Sequence, residues 1–223
     1  MPRPNRITYV GVLYHFIARF VASEWLIRDD GDRRQYLQMF GQSLMRSDWS
    51  CISYAVMSNH IHHALIAGKD SLASWLRNAH GEFAERINLR DERIGAVFVR
   101  GPKMYGVHVD GAASLVAYIH RNPVRAGLAR RASESTWTSH RAYLNPEQAP
   151  EWLDIERGLE LMRFDDATSM DAWIDATPVE RKQLDAFRLE PKKRRGRPTK
   201  QQRPQVETSS AVPKAEADDY WIE

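Results

Sequence analysis

The chain has 223 residues, 43% hydrophobic and 10% aromatic, with a formal net charge of +3 and a pI near 9.0. This composition excludes a disordered polypeptide and supplies enough apolar mass for one domain plus an appendage. A single cysteine, Cys51, excludes an intramolecular disulfide and a cysteine-rich zinc site. No stretch reaches the roughly 18 apolar residues of a membrane span, and no basic N-terminal segment leads into a long apolar run, so the expected location is the cytoplasm.

In chain order, Thr8 to Phe20 is rich in Val, Tyr, Leu, Ile and Phe and predicts a long first strand. Asp32 to Ser47 places Tyr36, Leu37, Phe40 and Leu44 at helical spacing. Trp49 to Met57 predicts a second strand, and Ser58-Asn59 a tight turn into a third, His60 to Ala67. Ser71 is placed to cap a helix whose stripe is Leu72, Trp75, Leu76, Ala79, Phe83 and Ile87. This stripe assigns Trp75 to the core. Ala96 to Val109 has strand composition broken by Gly101-Pro102, which predicts a bulged or edge strand, and Gly111 to Arg121 a short helix. The order predicts an α+β fold, a ferredoxin-like antiparallel sheet with helices on one face.

Two short segments carry chemistry. On a strand, His60 and His62 share one face while Ile61 and His63 point to the other, so two imidazoles can share one divalent metal. On a helix, Tyr118 and Asn122 lie four residues apart on one stripe. Imidazole and amide oxygen with open positions suit Mg²⁺ or Mn²⁺ on a phosphate, although imidazole also accepts Zn²⁺. The His-x-His pair alone is a weak motif, and Asn122-Pro123 has a competing reading as a helix N-cap with proline at the first helical position.

Together these segments resemble a known family. Met57-Ser58-Asn59-His60-Ile61-His62-His63, Tyr118 to Leu128 (with Asn122-Pro123-Val124-Arg125-Ala126-Gly127-Leu128 as its most specific part) and Trp137 to Tyr143 are similar to single-tyrosine transposases of the IS200/IS605 type, above all the REP-associated tyrosine transposases of the HUH superfamily. The resemblance runs from about Tyr14 to Leu144. It implies metal ligands at His60, His62 and Asn122 and a nucleophile at Tyr118, which would form a 5′-phosphotyrosine and free a 3′-OH on single-stranded DNA carrying a hairpin. A phenol with an ordinary pKa of about 10 needs that metal's help. Three places depart from the family pattern: Ser58 stands where proline is usual, His63 replaces an aliphatic residue, and Val99-Arg100-Gly101-Pro102 replaces a Gln-Gly-Arg-aromatic run.

Arg100, Lys103, Arg121 and Arg125 lie near the expected site in sequence and are candidate phosphate contacts. Residues 1–145 are expected to form the catalytic domain and 146–190 a helical extension, with Trp152, Ile155, Leu159 and Met162 spaced to dock on it. Residues 191–223 form a basic, then acidic tail. Its Arg195-Gly196-Arg197-Pro198 resembles an AT-hook core and suggests affinity of Arg195 and Arg197 for A·T-rich duplex, against the alternative of a solubilising tail. Such partners suggest nucleoid association. A Rep- or relaxase-like nickase and a non-catalytic hairpin-binding regulator remain alternatives, and the sequence leaves monomer and homodimer equally open.

Overall fold

The structure is a computed structural model that describes residues 8–189, which belong to one compact unit. The tail, with Arg195 and Arg197, lies outside the described residues.

Four antiparallel strands, β1 (Leu13–Arg19), β2 (Ser50–Val56), β3 (His60–Ile66) and β4 (Lys103–Val107), form one sheet in the order β2-β3-β1-β4. The first strand is shorter than composition predicts: Gly11 takes a positive φ of 78° and Val12 turns back to Tyr9, so although both still bond to Ala67 the regular strand starts only at Leu13. Of the predicted Ala96–Val109 strand only β4 pairs continuously, because Gly101, also at positive φ, and Pro102 break the ladder. Upstream, a single bridge joins Phe98 to Phe20.

Helices cover both faces of the sheet rather than one. Against the first face lie α1 (Asp30–Leu44) and α2 (Leu72–Arg90), which bury Tyr36, Phe40, Leu44, Trp75, Phe83 and Ile87 over Tyr14 and Phe16 of β1 and Phe20 just beyond it. Every residue of the α2 stripe, Trp75 included, is buried. Asp29 caps α1 by accepting from the Asp32 amide at 2.9 Å, whereas Ser71 precedes α2 without a side-chain cap bond. Asp32 then holds Arg90 and Arg86 of α2, fixing how the two helices cross.

The second face is covered by α3 (Ala112–His120), which continues through Arg121 into the single turn α4 (Asn122–Arg125), and by α5 (His140–Leu144), α6 (Ile155–Met162), α7 (Ala167–Ala176) and α8 (Arg181–Asp185). The helices after Leu144 share one apolar cluster with α3: Met162, Met170, Ile174 and Leu184 pack with Leu115, Val116 and Ile119. A buried polar line joins three of the elements on this face. His120 Nε2 meets Ser139 Oγ at 2.9 Å, His120 Nδ1 meets His140 Nδ1 at 3.0 Å, and His140 Nε2 meets Asp171 Oδ1 of α7 at 2.8 Å. Ser139 Oγ also accepts the Tyr54 amide, which makes it a buried anchor of the fold. Gly41 of α1 makes room for the Trp152 indole, which a Cβ there would strike.

Candidate active site

Strand pleat and register assemble the site. On the second face β3 presents His60, His62, Ala64 and Ile66, β1 presents Leu13, His15, Ile17 and Arg19, and β4 presents Lys103, Tyr105 and Val107; cross-strand partners include Arg19 with His60, His15 with Tyr105 and Ile17 with Lys103. The face is divided along its length. Its apolar half, with Leu13, Ala64, Ile66 and Val107, lies in the cluster that includes α3. The polar half, with His15, His60, His62, Arg19, Lys103 and Tyr105, lies beyond, and Tyr118 near the C-terminus of α3 borders it.

The Tyr118 ring stands edge-on to His62 and His15, at centroid separations of 5.8 and 5.7 Å. His60 and His62 are 4.8 Å apart with perpendicular rings. Each histidine is held from behind. His60 Nδ1 lies 2.6 Å from Asn59 Oδ1, which can only accept, so Nδ1 carries the proton and Nε2 a lone pair. His62 Nδ1 lies 2.9 Å from His15 Nε2, and a proton donated there leaves His62 Nε2 free as a ligand atom. All three rings are neutral. Burial pushes His60 down to about 4 and His15 to about 3, the Asn122 hydrogen bond opposing the shift at His60, and burial with the neighbouring His60 and His15 holds His62 well below the ordinary value.

Asn122 is oriented by backbone. Its Nδ2 donates to the Tyr118 and Ile119 carbonyls, both at 3.1 Å, so Oδ1 points the other way, accepts from Arg125 Nη2 at 2.9 Å, and stands within hydrogen-bonding reach of His60. The capping alternative is not realised: Asn122 is the first residue of α4, and no side chain caps that turn. Arg125 fastens the corner, with its guanidinium 3.8 Å above the Tyr118 ring and Nη1 donating to the Tyr118 carbonyl at 2.9 Å.

This donor set fits a divalent cation. Asn122 Oδ1 and the nitrogens left unprotonated on neutral His60 and His62 all carry lone pairs, the kind of ligand atom a divalent cation takes. Among the described residues no group of three or more His, Cys, Asp or Glu side chains is arranged to hold a metal, so the amide oxygen would have to be the third ligand.

The candidate phosphate contacts separate. Lys103 and Arg125 border the site, and Arg100 is exposed on the segment entering β4. Arg121 turns away: its guanidinium donates to the carbonyls of Ile174 and Asp175 at the end of α7, at 3.0 and 3.2 Å, which withdraws it from the Tyr118 side. His63 faces the opposite core, as alternation requires, and Ser58 replaces proline without loosening the hairpin tip. The Ser58 carbonyl accepts from Ile27, and Arg33, stacked 3.4 Å from the Trp137 ring, donates to the Val56 carbonyl. Two residues that position the site, His15 and Asn59, carry no signal of that role in the sequence patterns above. Asn59 precedes the motif directly, but His15 declares itself only once β1 and β3 are in register. A cleft of about 500 Å³ at the far end of the molecule, bounded by Leu44, Trp49 and Trp152, contains none of these residues. The candidate residues lie on the sheet face instead, where partly exposed His60, Tyr118, Tyr105 and Arg19 border the buried His15 and His62.

No protein-family model matches the chain. No curated protein matches it either. Among solved structures it is similar to a REP-associated tyrosine transposase bound to a REP hairpin, with a TM-score of 0.55 and 14% identity over 70% of this chain and 93% of that one. That similarity shows a shared fold. A transposase-like protein of Deinococcus radiodurans R1 matches at 14% identity over 67% of this chain and all of that one, with a TM-score of 0.36, too low to carry an argument.

Proposed function

We propose that this chain is a single-tyrosine transposase that cuts and rejoins single-stranded DNA beside a hairpin, as the REP hairpin bound to its structural neighbour suggests. The observation that carries this reading is the corner where Tyr118 stands edge-on to His62 while Asn122, four residues on, comes within hydrogen-bonding reach of His60.

The residues divide the work. His60 and His62, through Nε2, and Asn122, through Oδ1, would hold Mg²⁺ or Mn²⁺, which when bound supplies Lewis-acid polarisation of the scissile phosphate. Asn59 and His15 keep the ligand nitrogens deprotonated and aimed. Tyr118 Oη attacks phosphorus, the bond to the 3′ oxygen breaks, and the phenolic proton passes through solvent to that departing oxygen, which leaves as a 3′-OH. The product is a 5′-phosphotyrosine that retains a diester linkage, so an incoming 3′-OH can reverse the step and join strands without a nucleotide cofactor. Arg125 holds the Tyr118 ring flat beneath its guanidinium, which fixes the direction of attack. Affinity of Arg195 and Arg197 for A·T-rich duplex is a separate proposal that rests on sequence alone.

The test is covalent capture. Protein mixed with Mn²⁺ and a labelled hairpin oligonucleotide with a single-stranded flank is expected to yield an adduct stable to denaturant, lost in Tyr118→Phe while binding persists. Adduct formation by Tyr118→Phe would overturn the assignment of the nucleophile.

A further inference from the structure

We propose that Arg19, Lys103, Arg125, Arg181 and Arg188 form a phosphate track on the polar half of the sheet, gripping the backbone of the single DNA strand presented to Tyr118, so that the segment after α7 is part of the DNA site. This rests on the reading of Tyr118 as a nucleophile toward DNA.

The geometry begins at the sheet edge. Beyond α8 the chain runs antiparallel beside β4: His108 N donates to the Phe187 carbonyl and Leu189 N to the Gly106 carbonyl, both at 2.8 Å, and Arg188 bridges Val107. Opposed residues of an antiparallel bridge project to the same face, so Arg188 shares the face of Val107 and Tyr105. Its guanidinium indeed lies 3.8 Å above the Tyr105 ring, and Tyr105 is the cross-strand partner of His15. Arg19 and Lys103 reach the same surface by pleat alternation on β1 and β4, and Arg125 closes it at Tyr118. Four cations from four places in the sequence therefore meet on one half-face, and Arg181, at the start of α8, adds a fifth positive charge close enough to act on His15, Arg19 and Lys103. Asp185 is the carboxylate that pairs with Arg188, at 2.8 Å.

Like charges at this spacing repel, and the effect reaches Lys103. Burial first, then Arg19, Arg181 and Arg188, hold its ammonium below the ordinary lysine value. A row of phosphodiesters supplies the opposing charge and accepts from guanidinium N–H groups, often in pairs. The aromatic that could stack a base here, Tyr105, is already covered by Arg188, so the track holds backbone without reading sequence.

The experiment uses the full chain carrying Tyr118→Phe, so that binding is read without covalent trapping, and a fluorescent hairpin oligonucleotide with a single-stranded flank. Fluorescence anisotropy gives Kd across a range of KCl concentrations. Arg181→Gln with Arg188→Gln is expected to weaken binding about tenfold or more near 0.1 M salt and to reduce the slope of log Kd against log salt by about 1.4, roughly 0.7 for each phosphate left without its cation. Arg181→Lys with Arg188→Lys should restore most of the slope, which separates charge from folding. Arg34→Gln with Arg46→Gln, exposed on α1 and just after it, should leave it unchanged. An unchanged slope in the Arg181/Arg188 glutamine pair, or an equal fall in the α1 pair, would overturn the track while leaving DNA binding intact. Absence of oligonucleotide binding by the Tyr118→Phe parent would overturn both the track and the functional reading beneath it.

Discussion

His62 and His63 are neighbours on β3, both are buried, both are held neutral well below the ordinary imidazole value by burial, and each faces a tyrosine. They nevertheless belong to different chemistries, because one peptide unit sends them to opposite faces of the sheet. His63 enters a closed aromatic wall: its ring stacks on Phe40 at 3.9 Å, and the Tyr36 hydroxyl bridges its Nε2 at 3.0 Å to His80 at 3.3 Å. His62 enters the half-face that Tyr118 borders and the cations surround. The tyrosines differ in the same way: Tyr36 is fully buried and burial drives its pKa up, whereas Tyr118 keeps a solvent-facing edge. Residue type and burial do not distinguish a site from a core; the space across from the ring does.

The sharpest way to break this comparison is to exchange the losses. His62→Ala is expected to abolish Mn²⁺ binding measured by calorimetry and to cut adduct formation by at least about a hundredfold in the protein that remains folded. His63→Ala should do the reverse, costing about 3 kcal/mol in urea unfolding through the cavity beside Phe40 and the unpaired Tyr36 hydroxyl, with Mn²⁺ affinity of the folded protein preserved. Loss of Mn²⁺ affinity in folded His63→Ala would erase the distinction.

Acidification tests the closed side next. His63 and His80 have folded pKa values below the unfolded value near 6.5, so below that pH the unfolded chain takes up protons that the native protein refuses. Stability is then present in full above pH 6.5 and falls as pH drops toward about 4, with a limiting slope of about 1.4 kcal/mol per pH unit for each such histidine. The urea midpoint should fall between pH 7.5 and 5.5, and His80→Phe, which keeps the stack on Phe98, should flatten that fall. A midpoint that rises on acidification would contradict neutral burial.

The smallest expected effect lies on the open side. Asn59→Ala removes the acceptor that fixes His60 Nδ1–H and should weaken Mn²⁺ binding about tenfold while stability shifts by less than about 1 kcal/mol. Unchanged Mn²⁺ affinity would show that the hairpin tip alone aims His60.

The parts of this arrangement that depend on local period are legible in the sequence. Alternation alone puts His63 opposite His60 and His62, the helical stripe places Trp75 in the core, and four-residue spacing sets Tyr118 beside Asn122. What depends on pairing between distant segments is hidden. His15 meets His62 only because β1 and β3 pair with Ile17 opposite His62, and Arg188 reaches Tyr105 only because the chain returns to the β4 edge far downstream. Arg121, four residues before Arg125, is indistinguishable from it by sequence. The end of α7, which captures its guanidinium, comes from a distant part of the chain. Helices on both faces are equally unreadable, since the apolar stripe of α3 does not declare which side of a sheet it covers.

The line from Asp171 through His140 to His120 ends two residues from Tyr118. The His120 links to Ser139 and His140 are directional bonds buried where water cannot substitute for a missing partner, so α3 cannot slide or rotate without stranding a polar atom in the core. The helices after Asn145 thus serve as a splint: the Tyr118 ring keeps its bearing on the histidines because a carboxylate on another helix, well downstream in the chain, holds the far side of the same rod.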